Sequence, residues 1–155
     1  MVKLCLETSI NAPIERVFDL ARSIDLHTRS TAKTGERAIA GITSGLIGFN
    51  EEVTWRAKHF GVWQSLTVKI IAYDSPFHFA DEMLRGAFQR MRHDHYFEST
   101  KSGTLMRDEF LFEAPLGILG RIVEVVVLKN YMRRFLIARN QVLKTTAECD
   151  DWAMY

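Results

Sequence analysis

Up to Glu113 apolar residues recur mostly at every second position, and beyond Pro115 they recur at every third or fourth. The first period belongs to strands with one buried face, the second to an amphipathic helix. Lys3 to Ile10 puts Leu4, Leu6, Thr8 and Ile10 on one face and reads as a strand. Asn11 is placed to cap a helix with Pro13 in its first turn, and Ile14, Val17, Phe18 and Ala21 carry that helix to about Arg22. Ser23 to Ser30 reads as a second short helix or an irregular turn, and Glu36 to Ala40 as a weak strand. Gly41 to Gly48 is a loop of glycine, serine and small apolar residues, suited to a mobile lid.

Longer strands follow. Phe49 to Phe60 carries Glu51, Val53, Trp55 and Ala57 on its inner face, with Trp63 beyond it on the outer side or at an end. After Gly61, Val62 to Tyr73 turns Leu66, Val68 and Ile70 inward. Phe77 to Leu84, Phe88 to Thr100 and Thr104 to Glu113 are separated by the turns Arg85-Gly86 and Lys101-Ser102-Gly103. The final stripe runs from Pro115 to about Glu148 through Ile118, Ile122, Val125, Leu128, Met132, Phe135, Leu136, Arg139 and Leu143. Arg121, Lys129, Asn130, Arg134 and Lys144 face the other way. A helix of about 33 residues is about 50 Å long, and so long a stripe must be buried. The expected fold class is α+β: a curved antiparallel sheet of about six to seven strands wrapped around a long C-terminal helix, with two short helices after strand 1.

Length adds one point. The 155 residues suit one domain, here 1–149 with 150–155 as a tail. The net charge of +1 gives no field that favours nucleic acid or an anionic membrane. The longest apolar run, Leu116 to Leu128, is broken by Arg121 and Glu124, so no membrane span is expected. The start, MVKLCLETSI, alternates and has no apolar leader core. Cys5 and Cys149 are lone cysteines, as in a reduced cytoplasmic chain without a disulfide. A monomer or homodimer is expected. There is no Gly-rich phosphate loop, no Gly-x-Ser-x-Gly elbow and no cysteine pair at zinc-finger spacing, and no cofactor is implied.

The candidate chemistry is concentrated on the last three strands. Met91, His93, His95 and Phe97 share a face, while Arg90, Arg92, Asp94 and Tyr96 form a set expected on the solvent side. Thr104, Met106, Asp108, Phe110 and Phe112 share a face, which puts the Asp108 carboxylate among apolar neighbours. Of Asp81 and Glu82, one must face inward, and alternation does not say which. An inward carboxylate needs a partner, and a histidine supplies one. Such a set can tie strands together, orient a ligand at a cavity floor, or act as an acid–base pair. His-x-His with Asp108, Asp81 or Glu82 also matches metal-ligand spacing, though permissively. Arg139 and Glu51 are placed to pair at a cavity rim.

The segment Ile10-Asn11-Ala12-Pro13-Ile14-Glu15-Arg16-Val17-Phe18 resembles the "I-x-A-P-x-E-x-V-F" opening of the SRPBCC superfamily, the helix-grip proteins that include START domains, pollen-allergen-type proteins and aromatic polyketide cyclases. Val53 to Gly61 is similar to strand 3 of a bacterial subgroup. Asp81 to Gly86, Phe88, His93, His95 and Phe97, then Gly103-Thr104, Asp108 and Pro115-Leu116-Gly117, resemble its middle. Gly86-Ala87-Phe88 stands where that subgroup has Gly-Pro-Phe, and the tail Asp150 to Tyr155 has no counterpart. The resemblance covers nearly the whole chain. It implies a deep cavity between sheet and helix that holds a small apolar or amphipathic molecule, and it carries over no catalytic set.

The expected function is therefore binding or transport of such a molecule. The cavity would be lined by Trp55, Leu66, Val68, Phe79 and Met91 from the sheet, with Met106 and Phe110. Met132, Phe135 and Leu136 would line it from the helix, and His93, His95 and Asp108 would fix the ligand's polar end. The alternatives are a cyclase- or dehydratase-type enzyme, with His93 or His95 as base and Asp108 orienting it, and a protein-interaction module with a closed cavity.

Overall fold

The computed structural model describes residues 1–114 and 127–155. Seven strands form one antiparallel sheet: β1 (Val2–Ile10), β2 (Arg37–Gly41), β3 (Glu52–His59), β4 (Val62–Asp74), β5 (His78–Arg85), β6 (Arg90–Thr100) and β7 (Gly103–Glu113). Their order is β1-β7-β6-β5-β4-β3-β2. Neighbours from β2 to β7 are successive in sequence, and β1 closes the far edge against β7. Two short helices, α1 (Ile14–Ala21) and α2 (Ile24–Ser30), follow β1, and α3 (Lys129–Ala147) covers the inner face. This is the α+β architecture expected from the pattern, arranged as the helix-grip resemblance implies.

The core follows from alternation. Val2, Leu4, Leu6 and Ile10 of β1, Met106, Phe110 and Phe112 of β7, and Met91 and Phe97 of β6 are buried on one face. Phe18 of α1 is 1% exposed and meets the edges of Tyr73, Phe79 and Phe97 at 5.3–5.5 Å between ring centres. On α3, Met132, Leu136, Arg139, Asn140, Leu143 and Ala147 form the buried stripe. The expected start of this helix at Pro115, with Ile118, Arg121, Ile122 and Val125, lies outside the described residues.

Several local expectations are corrected. Asn11 does not cap α1: the helix begins at Ile14 with Pro13 at the cap position and no side-chain cap bond. Asn11 stands too early for that role, and its backbone N–H donates instead to Glu148 Oε1 at 2.8 Å. Ser23 to Ser30 resolves into a helix, since the Ser23 hydroxyl accepts from the Leu26 N–H at 3.2 Å. β3 is shorter than expected, and the left-handed Asn50 (φ 66) and Phe60 (φ 51) flank it. Phe60 and Gly61 (φ 78) form the two-residue turn to β4, and positive φ at both positions suits the twist of a hairpin. Gly103 (φ 134) has no alternative, because a Cβ there would lie 2.2 Å from the Ile10 carbonyl oxygen.

The segment expected as a lid is tied at several points to the α1–α2 junction. Ile24 N–H donates to Gly45 O at 2.9 Å, Ile47 N–H donates to Arg22 O at 3.2 Å, and Gly45 N–H donates to Asp25 Oδ2 at 2.7 Å. The C-terminal tail also packs on its own chain. Asp150–Met154 forms a 3-10 turn, the Arg16 guanidinium lies 4.2 Å above the Trp152 ring, and Arg29 donates to the Tyr155 hydroxyl at 2.7 Å. Among the described residues, no helix is long and apolar enough to cross a membrane.

Candidate functional site

A cavity of about 320 Å3 lies between the concave face of the sheet and α3. Val53, Trp55 and Ala57 of β3, Leu66, Val68 and Ile70 of β4, Phe79 of β5, Met91 of β6 and Phe110 of β7 form the sheet side of its wall. Met132, Phe135 and Leu136 form the helix side. Period-two alternation delivers the first set and helical spacing the second. Among the described residues the interior keeps this open space, whereas an interaction module with a closed cavity would need it filled.

Met106 and Asp108 are not on this wall, contrary to expectation. Met106 is 1% exposed and pairs with Thr8 and Phe97 at the end of the sheet that α1 covers. Asp108 is also 1% exposed, and the rings of His93 and His95 stand in front of it. Those two rings do face the cavity.

The polar cluster is built by strand register. β5 pairs with β6 so that Asp81 stands opposite His93, and β6 pairs with β7 so that His95 stands opposite Asp108. This register selects Asp81 as the inward carboxylate and leaves Glu82 exposed. His93 Nε2 donates to Asp108 Oδ1 at 3.1 Å. His95 Nδ1 lies 2.7 Å from the same oxygen but out of line for a hydrogen bond, so the contact is one of charge. Its Nε2 lies 3.6 Å from Asp81 Oδ1. Asn140 of α3 donates to the other Asp108 oxygen at 2.6 Å and reaches Thr8 Oγ1 at 3.4 Å. Phe79 stacks on His95 at 4.3 Å, and the two imidazole centres are 3.8 Å apart.

Electrostatics separates the two histidines. Burial and the neighbouring His95 charge lower the pKa of His93 to about 4, against the pull of Asp108. Burial also disfavours the charged form of His95, but Asp108 and Asp81 outweigh it and its pKa is raised. Burial pushes both carboxyls up, and the histidines overcome this: Asp81 is lowered and Asp108 is held well below the usual range. Arg139 is on the same wall, 8% exposed, and donates to the Ala21 carbonyl at 3.2 Å. With His95 protonated, two carboxylates face two cations and the cluster is neutral. The expected pairing of Arg139 with Glu51 does not form. Glu51 precedes β3, and its carboxylate accepts from the Gly48 N–H at 2.6 Å.

The expected solvent-side set contains one exception. Asp94 is 4% exposed because Arg92 grips it at 2.7 and 2.8 Å and His78 lies at 3.0 Å. The cavity wall has a second polar place that sequence reasoning does not single out. His27 of α2 stacks on Trp55 at 4.1 Å, with its Nε2 3.4 Å from Glu36 Oε1. His59 Nδ1 lies 2.7 Å from the Tyr131 hydroxyl. All five of these residues line the cavity.

Burial works to raise the Glu36 carboxyl, but the charge His27 carries when protonated, 3.4 Å away, and that of His59 help outweigh it, and the pKa falls below the ordinary 4.5. A carboxyl depressed in the folded state adds stability above its unfolded pKa and loses it as pH falls through the folded value. Wild type is therefore expected to lose thermal stability below about pH 4.5 more steeply than Glu36→Gln. Melting curves of both proteins from pH 7 to 3 check this, and parallel curves would contradict it.

No family model matches the chain, and no curated protein is similar to it in sequence. Solved structures are similar. A protein of Thermus thermophilus is 19% identical over 94% of this chain and 97% of its own, with a TM-score of 0.77. The ginseng major latex-like protein 151 from Panax ginseng is 15% identical over 94% of this chain and 97% of its own, at 0.69. A Chromobacterium violaceum protein is 10% identical over 96% of this chain and 99% of its own, at 0.71. Likeness at this level over nearly the whole chain shows a shared fold, and the seven-stranded sheet, the short helix pair after β1 and the helix laid across the concave face give this chain the helix-grip fold.

Proposed function

We propose that the protein binds a small apolar or amphipathic molecule in the cavity between the sheet and α3, as a carrier or sensor. The observation that carries this reading is the make-up of the wall. It is apolar over most of its extent, with polar groups that include the Asp81–His93–His95–Arg139 cluster, the His27–Glu36 pair and the His59–Tyr131 pair. Ligand sites are typically built this way, and about 320 Å3 lies at the small end of their size range. Apolar area supplies affinity and the polar groups fix orientation. Two exposed free cysteines, Cys5 and Cys149, suit a reducing compartment such as the cytoplasm.

The test is a fluorescent apolar probe, anilinonaphthalene sulfonate, titrated into wild type and into Ala57→Trp, which places an indole in the cavity. Saturable binding at one site in wild type, weakened at least about tenfold in the variant, is the expected result; a loss of that order is about 1.4 kcal/mol. No saturable binding, or equal binding by a folded variant, overturns the reading. Native mass spectrometry of protein taken directly from cells would then identify the natural occupant. The imidazole of His93, oriented by Asp108, also meets the geometric need of an acid–base group. Turnover of a polyketide lost in His93→Gln with probe binding intact would select the cyclase- or dehydratase-type enzyme instead.

A further inference from the structure

The polar cluster carries an inference that does not depend on what fills the apolar part of the cavity. Asp81, His93 and His95 each present a ligand atom within 4.8 Å of the other two. His93 and His95 are buried and Asp81 is half-buried, with side chains 6%, 2% and 15% exposed. The 3.6 Å between Asp81 Oδ1 and His95 Nε2 is close to the separation of two donors that share one cation at about 2.0–2.2 Å.

The surroundings resemble a prepared outer shell. A ligating histidine is held by a partner on its other ring nitrogen, commonly a carboxylate. Here one carboxylate serves both rings: His93 Nε2 and His95 Nδ1 turn to Asp108 Oδ1, and Asn140 fixes Asp108 in turn. The other nitrogen of His95, Nε2, is turned toward Asp81 Oδ1 at 3.6 Å. Phe79 stacked on His95 and the edge-on contact of His93 with Phe110 hold the ring planes.

We propose that Asp81, His93 and His95 form a three-donor site for a divalent first-row transition metal, zinc the best match, with the remaining coordination position open to the cavity. Two imidazoles and one carboxylate suit zinc, cobalt or ferrous iron, whereas calcium and magnesium take mostly oxygen donors. Asp81 and Asp108 together balance a 2+ ion.

Cobalt is the probe. The full chain carrying Cys5→Ser and Cys149→Ser, so that exposed thiols cannot bind metal, is stripped with chelator and titrated with cobalt chloride. The site predicts visible d–d absorption that saturates at one equivalent and is abolished by one equivalent of zinc. It predicts at least about tenfold weaker binding in Asp81→Asn, which keeps the shape of the side chain. Zinc should also raise the melting temperature of the Asp81-containing protein, a readout that stands if the variant fails to fold. No saturable band, no zinc-dependent rise in melting temperature, or undiminished affinity in a folded Asp81→Asn protein would overturn the site.

Discussion

Asp108→Ala is expected to lower the free energy of unfolding by about 3–5 kcal/mol, the range for removing one partner of a buried ion pair. The carboxylate is 1% exposed and takes a hydrogen bond from His93, one from Asn140 and the charge of His95. Its loss strands three polar groups that are each at most 5% exposed, and each stranded group adds its own desolvation cost. The cost extends across the fold, because Asp108 joins β6, β7 and α3 at one point. Urea denaturation of wild type and variant at pH 7 measures the difference. A loss under about 1 kcal/mol would mean that water or a neighbouring side chain takes the carboxylate's place, and that the cluster does not hold helix to sheet.

Phe18→Ala is expected to cost a similar amount, about 3–5 kcal/mol, for a different reason. Phe18 carries no polar atom and buries its whole ring under three edge-on aromatic neighbours. Truncation removes the transfer energy of the ring and leaves a void that the stiff sheet cannot collapse into. The effect should also reach the cavity, since Phe79 touches Phe18 on one side and stacks on His95 on the other. Denaturation gives the stability change, and anilinonaphthalene sulfonate titration under native conditions reads the cavity. A stability loss with unaltered probe affinity would show that Phe79 keeps its place without support from α1.

Alternation made most of the site legible before any coordinates. A residue's side of a strand is set by counting in twos, so His93, His95 and Asp108 could be grouped by parity alone, and so could most of the apolar wall. Counting fails where register decides. Asp81 and Glu82 are adjacent and equally polar, and only the pairing of Asp81 with His93 separates them. Asp108 had the right face but the wrong depth, since parity does not say that two imidazoles will stand in front of a carboxylate. Asn140 was missed although the signal was present. It lies four residues after Leu136 and three before Leu143, so one amide occupies an apolar stripe and needs a buried partner. His27 and Glu36 sit on a short helix and just before a short strand, where no period is long enough to read. The docking of Trp152 and Tyr155 depends on Arg16 and Arg29, more than a hundred residues away, and no local pattern encodes that.

The closing of the sheet by β1 has a consequence in time. The strand partner of β1 is β7, about a hundred residues later in the chain, and the helix that packs on it, α3, comes later still. A chain leaving the ribosome therefore presents β1 well before the strand that gives it a hydrogen-bonding edge. Every other pair in the sheet joins successive strands and can zip as it emerges. Joining β1 to β7 means closing a long loop, whose entropy must be met before the contact returns anything. Until then Leu4, Leu6 and Ile10 wait without their cover, and the alternating segment of β1 is the part of the sheet most in need of shielding while the protein is being made.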